Sequence, residues 1–386
     1  MFISETHLPQ LLPPGAYCDQ AWYDRELEDV LLPAWHLVAS YGQFPREGSF
    51  VTLDLFGRPI ILRRHDGEIR GFLNVCAHRF TKLTDQSLGC AATLKCCYHG
   101  WEYDECSGAT RKIPDAPSFR PLEPGLLGLT PVRVAVYGGL VFVSLAREGP
   151  PPFDGVLDRE FASLANRNPA GGQIGARVEV CPANWKIAVE NSLESYHVAE
   201  VHSHTFTSAP HEEDCEHTLF ETGSTFTAPG CPAGFVRRLQ SAVLKGAGLP
   251  LSDRYRHIHL HPTLTAGEVD SFMIFLSFLP EGPLQTRARI FWFVPQNDTA
   301  SGIRNALVRQ AGRLESRFWL RVWGEDLQLL PKVQKGALSV EHPGSGLISR
   351  REERIPHFQR WLLTQLGISE NQSELGQLGE STERVV

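Results

Sequence analysis

Nine cysteines and fifteen histidines stand in the 386-residue chain, and they are not scattered. Cys76-Ala77-His78 is followed, after 17 residues, by Cys96-Cys97-Tyr98-His99. Two thiolates and two imidazoles in two short loops can close around one metal centre. Zinc and an iron–sulfur cluster of mixed ligation both accept that donor set. Zinc sites usually keep cysteines with cysteines and histidines with histidines, whereas here each loop supplies one of each. A second group follows in Glu194-x2-His197-x4-His202. Glu194 and His197 share a helix face at i, i+3. His197 and His202 are five apart, which on an ideal helix turns them about 140° away from each other. Both can hold one ion only if the helix ends or bends near His202. Two histidines and one carboxylate leave coordination positions open for dioxygen, the pattern of non-haem Fe(II) oxygenases. The best carboxylate is Asp326 in Trp323-Gly324-Glu325-Asp326. Spacing alone does not separate it from Glu325.

These groups need elements to hold them. Residues 19–32 read as a short acidic helix stopped by Pro33. Alternating segments at 49–55, 59–64 and 69–75, with the Asp66-Gly67 hairpin signal, make a strand-rich region. Two further strands, 132–136 and 140–145, surround Tyr137-Gly138-Gly139. Gly149-Pro150-Pro151-Pro152 reads as a linker. Beyond it, 174–180, 271–279 and 286–294 read as strands. Residues 185–201, 303–330 and 350–366 read as helices. The stretch 203–250 is rich in Gly, Pro, Ser and Thr and reads as loop. The expected division is a helical segment at 1–35 packed on the catalytic domain, an antiparallel β domain at 36–150, a larger domain at 151–368 and a disordered polar tail at 369–386.

Composition narrows the function. The formal charge of −7 and a pI near 6.1 disfavour a nucleic-acid or anionic-membrane partner. The most apolar stretch, 132–146, carries Arg133 and two glycines and is too short for a membrane span. The first fifteen residues lack a basic patch and an apolar core, so no signal peptide is expected. The remaining cysteines read as reduced thiols in a cytoplasmic setting. No nicotinamide or flavin fingerprint is present, and Gly344-Ser345-Gly346 lacks the third glycine and the strand before it.

Cys76-x-His78-Arg79 with Cys96-x2-His99-Gly100-Trp101 resembles the Rieske motif, and Trp35-His36-Leu37-Val38-Ala39 and Asn74-Val75 resemble that domain's flanks. Two positions depart from the pattern: Phe80 stands where glycine is common, and Cys97 where proline is usual. Asn184-Trp185-Lys186, Glu194-Ser195-Tyr196-His197, His202, Glu325-Asp326 and Gln334-Lys335-Gly336 resemble the catalytic domain of Rieske non-haem iron ring-hydroxylating oxygenases, α subunit. The resemblance implies an α+β fold, with an antiparallel β Rieske domain and a larger helix-grip-like catalytic domain built on a central antiparallel sheet. It implies a [2Fe-2S] cluster on Cys76, His78, Cys96 and His99, and Fe(II) on His197, His202 and Asp326. Dioxygen would be co-substrate, and NAD(P)H would act only through a partner reductase, directly or by way of a ferredoxin. It further implies a homo-oligomer, usually a trimer, in which Glu194 bridges His197 to His99 of a neighbouring subunit.

Most of the family has Asp where this chain has Glu194. Glutamate there resembles the branch acting on choline, betaines and carnitine, so a quaternary ammonium substrate in an aromatic cage is one expectation. Phe206, Phe220, Phe226, Phe235, Tyr255, Phe272, Phe275 and Trp292 supply rings enough for such a cage or for an aromatic substrate. The expected activity is hydroxylation or oxidative demethylation of a small organic molecule. An aromatic-ring dioxygenase α subunit is the close alternative, and an electron-transfer Rieske protein the remote one. His204 and His211 fit no ligand spacing, and the alternating His257, His259 and His261 read as one face of a strand.

Overall fold

The computed structural model describes residues 2–369 apart from 124, 150, 154–158, 168–171, 207–209, 231–234, 250–253, 270–271, 298–299 and 340–345. The polar tail, from 370 onward, lies outside the described residues, as does Cys231. The chain divides into two compact units, Trp35–Pro150 and Met1–Ala34 with Pro151–Val386.

The smaller unit is antiparallel β. Its main sheet has seven strands in the order His36–Ser40, Leu140–Ser144, Pro131–Tyr137, Glu68–Leu73, Arg58–His65, Ser49–Leu55 and Leu88–Cys90. Asp66 and Gly67 both take positive φ (51° and 78°), the backbone that closes a two-residue hairpin without splaying its strands. A second sheet has three short strands, Leu94–Lys95, Glu102–Tyr103 and Thr110–Lys112, the first two flanking the loop that carries Cys96 and His99. Phe50, Ile61, Phe72, Trp101 and Leu129 form one apolar core with Cys76 and Cys96. Both thiols are therefore buried by the same packing that stabilises the unit.

The larger unit is α+β. Its seven-stranded antiparallel sheet runs Gln173–Cys181, Thr286–Phe293, Phe272–Pro280, Leu264–Val269, Arg254–Leu260, Gly223–Pro229 and Glu216–Phe220. The two final strands, and the helix Phe235–Gly246, lie in the stretch that composition assigns to loop. The long helix Gly302–Ala337 packs on the sheet through Val308, Trp319 and Trp323 against Trp292, Val294 and Ile274. Gly312 permits the close approach: a Cβ there would come within 2.4 Å of Val294 Cγ1. The helix continues through Pro331, a residue that costs about 3 kcal/mol inside a helix. Gln334 anchors the extension, accepting from the Asn184 amide at 2.7 Å and donating to the Tyr17 carbonyl at 3.1 Å.

The N-terminal segment belongs to this unit. Its helix Gln20–Glu26 runs on as a π turn at Leu27–Leu31 and buries Trp22, Tyr23, Val30 and Leu31. Glu26 accepts from Trp185 Nε1 at 2.8 Å and from Lys186 Nζ at 2.6 Å. Nearby, Tyr17 Oη donates to Glu190 at 2.8 Å and accepts from Gln10 at 2.7 Å, while Gln359 donates to Glu190 at 2.9 Å. So Trp185 and Lys186 of the Asn184-Trp185-Lys186 motif, together with Glu190, fasten the helix Trp185–Ser192 to the N-terminal segment.

Burial lifts the Glu190 carboxyl to about 7, although Gln359, Tyr17 and Lys186 pull it back. The folded chain thus holds this proton more tightly than the unfolded chain. The stability it supplies is full below the ordinary Glu value and is lost as pH rises through about 7. Glu190→Gln is expected to flatten that loss, which at most is about 3 kcal/mol for a shift of this size. Urea unfolding of both proteins at pH 5 and pH 8 checks it; parallel losses in the two would refute the assignment.

Candidate metal centres and active-site cavity

The two cysteine–histidine loops repeat one backbone geometry. The Phe80 amide donates to the Cys76 carbonyl at 3.0 Å, and the Gly100 amide to the Cys96 carbonyl at 3.1 Å. Each loop ends on a left-handed residue, Phe80 at φ 63° and Gly100 at φ 73°. Glycine takes that conformation freely, whereas a side chain costs roughly 1 kcal/mol or more. The Phe80 ring recovers little by packing, since the residue is 80% exposed.

The four residues converge within the unit. The rings of His78 and His99 lie 4.8 Å apart, and His78 stacks on Trp101 at 5.0 Å with an interplanar angle of 2°. His78 Nδ1 is buried without a hydrogen-bond partner. A buried, unsatisfied ring nitrogen is costly unless something binds it. Cys76 Sγ lies 2.9 Å from Tyr103 Oη, which also accepts from the Ala77 amide at 3.0 Å. Cys96 Sγ accepts from the Tyr98 amide at 3.5 Å. Burial, then the contact with Cys76, pushes the Tyr103 hydroxyl well up, so it keeps its proton and can donate to sulfur. The exposed Cys97 thiol instead lies 3.5 Å from the Lys82 carbonyl. Two buried thiols, two imidazoles and donors aimed at sulfur fit a [2Fe-2S] cluster of mixed ligation.

The second group depends on a broken helix. Asn184 caps the helix Trp185–Ser192, its side chain accepting from the Lys186 amide at 3.0 Å. A single helix over 185–201 is not formed. The chain turns through 193–197 and resumes as Val198–Val201, with His202 as its C-cap at φ −104°. That break removes the angular conflict between the two histidines. Their rings come to 5.1 Å of each other. His197 Nε2 lies 3.6 Å, and His202 Nε2 3.2 Å, from Asp326 Oδ1. One donor atom from each of the three residues falls within 4.8 Å of the other two, a group able to hold a metal ion. Asp326 Oδ1 is itself buried without a hydrogen-bond partner.

The outer ring nitrogens are both held by carboxylates. His197 Nδ1 pairs with Glu194, which also accepts from the Tyr196 and His197 amides. His202 Nδ1 lies 2.7 Å from Glu325, whose other oxygen accepts from Thr205. Protons on the two Nδ1 atoms leave both Nε2 lone pairs facing Asp326. Burial opposes a charge on His202, yet Asp326 and Glu325 together lift its pKa above the ordinary value. Glu325 thus sits behind a histidine and Asp326 in front of it. Spacing does not reveal this division of two adjacent acids; the tandem Glu-Asp on one helix is the only signal for it.

Beside this group opens a cavity of about 650 Å³. Its walls come from one face of the sheet (Phe226, Tyr255, Phe278), from the long helix (Glu315, Phe318, Trp319, Trp323) and from the segment around 191–214, including Phe206 and Asp214. His257 is part of that wall and lies 3.0 Å from the buried Arg354 guanidinium. His259 and His261 are buried in ring contact with each other at 5.0 Å and do not line the cavity. His211 lines it, although its spacing suggests no role.

Comparison with known proteins agrees with both halves. The Rieske [2Fe-2S] domain model matches residues 34–134, and the ring hydroxylating alpha subunit (catalytic domain) model matches 170–368. A glycine betaine monooxygenase oxygenase subunit of Pseudomonas aeruginosa is 31% identical over 194 residues, 48% of this chain and 43% of that one. The match thus spans less than half the length of that relative. The anthranilate 1,2-dioxygenase large subunit of Burkholderia cepacia is 25% identical over 87% of this chain and 86% of its own. A crystal structure of the quaternary ammonium Rieske monooxygenase CntA with an inhibitor shares the fold. Its TM-score is 0.75 and its identity 21%, over 92% of this chain and 94% of that one. The family implies a Rieske [2Fe-2S] cluster and a mononuclear iron as cofactors, and the donor sets described above suit both. By its catalytic domain, more than half of its length, the chain belongs to the ring-hydroxylating α-subunit family.

Proposed function

We propose that this chain is the terminal oxygenase component of a multicomponent Rieske oxygenase. It hydroxylates or oxidatively demethylates a small organic substrate with O2 and electrons from a separate NAD(P)H reductase, directly or through a ferredoxin. The observation that carries the reading is the presence, in one chain, of two unlike metal-competent donor sets. Cys76, His78, Cys96 and His99 would hold the cluster. His197, His202 and Asp326 would hold Fe(II). When bound, the cluster stores one electron and the iron is where O2 is reduced. An electron-transfer protein would have no use for the second set or for a cavity beside it.

The chain's own residues do the rest. Glu194 and Glu325 fix the tautomer and direction of His197 and His202. The apolar rings of the cavity hold the substrate beside the triad and keep water out. Glu194 has one carboxylate face on His197; its proposed second role is to receive a hydrogen bond from His99 of a neighbouring subunit in a homotrimer. Among the described residues no helix is long and apolar enough to cross a membrane, and no disulfide forms. The rings and acids of the cavity favour an organic cation, while the anthranilate dioxygenase relative supports aromatic-ring oxidation as the second reading.

The test supplies the purified protein with a reductase, NADH and ¹⁸O2 across quaternary ammonium compounds and aromatic acids. Label in the product is expected. Product oxygen drawn only from water would overturn the reading. Glu194→Ala is expected to keep the cluster and, at equal iron occupancy, to lose most turnover; full turnover would remove the bridge from the proposal.

A further inference from the structure

The position of Glu315 in the cavity says which end of a substrate goes where. Glu315 and Asp326 both line the cavity from the one long helix. They stand eleven positions apart, about 16 Å along a helix axis. Between them the lining is apolar, with Trp319 and Val322. Glu315 accepts from Trp319 Nε1 at 3.2 Å and from Gln240 Nε2 at 3.0 Å. Neither donor is charged, and no ion pair of Glu315 is found among the described residues. Two neutral donors bring no positive charge to the carboxylate, which lines the cavity. The Trp319 indole that orients it is flanked by Tyr255, stacked at 5.6 Å, and by the Phe318 edge at 5.7 Å. Rings about an anion are what a soft organic cation needs. The described lining residues include no lysine or arginine, so none of them offers a permanent positive charge to a carboxylate on the substrate.

We propose, resting on the oxygenase reading, that the cavity binds an elongated organic cation without a carboxylate. Its nitrogen lies against Glu315, Gln240 and Trp319, and the end to be oxidised lies at His197, His202 and Asp326. A compact betaine fits this arrangement poorly on two counts. It is too short to reach both ends, and its own carboxylate meets a ring-lined, acidic wall. A volume of about 650 Å³ suits a ligand several times larger. Glu315 is in this scheme a specificity-determining residue, remote from the reacting carbon.

The test is calorimetric binding of alkyltrimethylammonium ions, with chains from two to ten carbons, to the metal-loaded protein under anaerobic conditions. Neutral tert-butyl isosteres of the same lengths, and glycine betaine, are measured alongside. Affinity is expected to rise with chain length, to exceed that for each neutral isostere by about tenfold or more, and to leave glycine betaine weakest. Glu315→Gln is expected to remove the preference for the cation while changing the neutral series by less than twofold. Equal losses in both series, or affinity independent of length, would overturn the proposal. Trp319→Phe, which removes the indole donor but keeps a ring, is expected to give a partial loss for cations only. Turnover with ¹⁸O2 scores the oxygenase reading separately. A protein that prefers long cations yet incorporates no label would refute that reading and leave the binding site standing.

Discussion

Asp326→Ala is expected to strip the catalytic unit of its iron and abolish product formation while the cluster's absorption survives. The physical reason is the shape of the site. His197 and His202 offer two ring nitrogens, both facing one buried carboxylate oxygen that has no hydrogen bond of its own. Without the carboxylate, two neutral imidazoles remain, and a hard divalent cation loses the only anionic partner it has in that group. The adjacent variant calibrates the effect. Glu325→Gln keeps the three donors but weakens the grip on His202 Nδ1, a loss that typically costs about 10- to 100-fold in metal affinity or activity. Asp326→Ala should exceed that range and Glu325→Gln fall within it. Iron analysis together with rates on a competent substrate decides the matter. The opposite ranking would exchange the two roles.

The largest expected effect on stability lies at a buried ion pair. Lys186 and Glu26 are both fully buried, with Nζ 2.6 Å from Oε1. Burial pushes Lys186 down and Glu26 up, and each partner pulls the other back toward its charged form. The lysine also lies over the Tyr17 ring at 5.5 Å and that of Trp185 at 5.3 Å. Lys186→Met would leave a buried carboxylate with only the Trp185 indole as donor. Breaking such a pair costs about 3–5 kcal/mol, whereas replacing both charges by apolar or neutral groups of like volume is often close to neutral. The expected result is a large fall in the urea midpoint for Lys186→Met and substantial recovery in the double variant Glu26→Gln, Lys186→Met. A single-variant loss below about 1 kcal/mol, the scale of an exposed pair, would refute this account. The pair matters beyond stability, because it seats the helix whose end delivers Glu194.

The sequence carries some of this plainly. Short loops with fixed Cys and His spacing must bring their donors together, because a four-residue loop has little freedom. Paired acids on a helix are ambiguous for the opposite reason. Glu325 and Asp326 point in directions 100° apart, and only the packing of the helix on the sheet decides which faces the cavity. The helix break at 193–197 is hidden because Leu193, Glu194 and Ser195 continue the helical pattern locally. The strands Glu216–Phe220 and Gly223–Pro229 are hidden by composition: their threonines, serine and glycine resemble loop until neighbouring strands pair with them. Pro331 suggests a helix end, yet the contacts of Gln334 carry the helix past it.

The long helix works as a ruler. In the roles proposed above, one end of its cavity face would choose the substrate and the other would hold the metal, at a spacing fixed by the helical rise. Inserting or deleting a single residue between Glu315 and Asp326 would swing one of them by about 100° and take it out of the cavity. Substitutions in place carry no such penalty. Descendants of this chain can therefore change their substrate range by exchanging side chains along that face, while the length of the segment between the two acids stays constant.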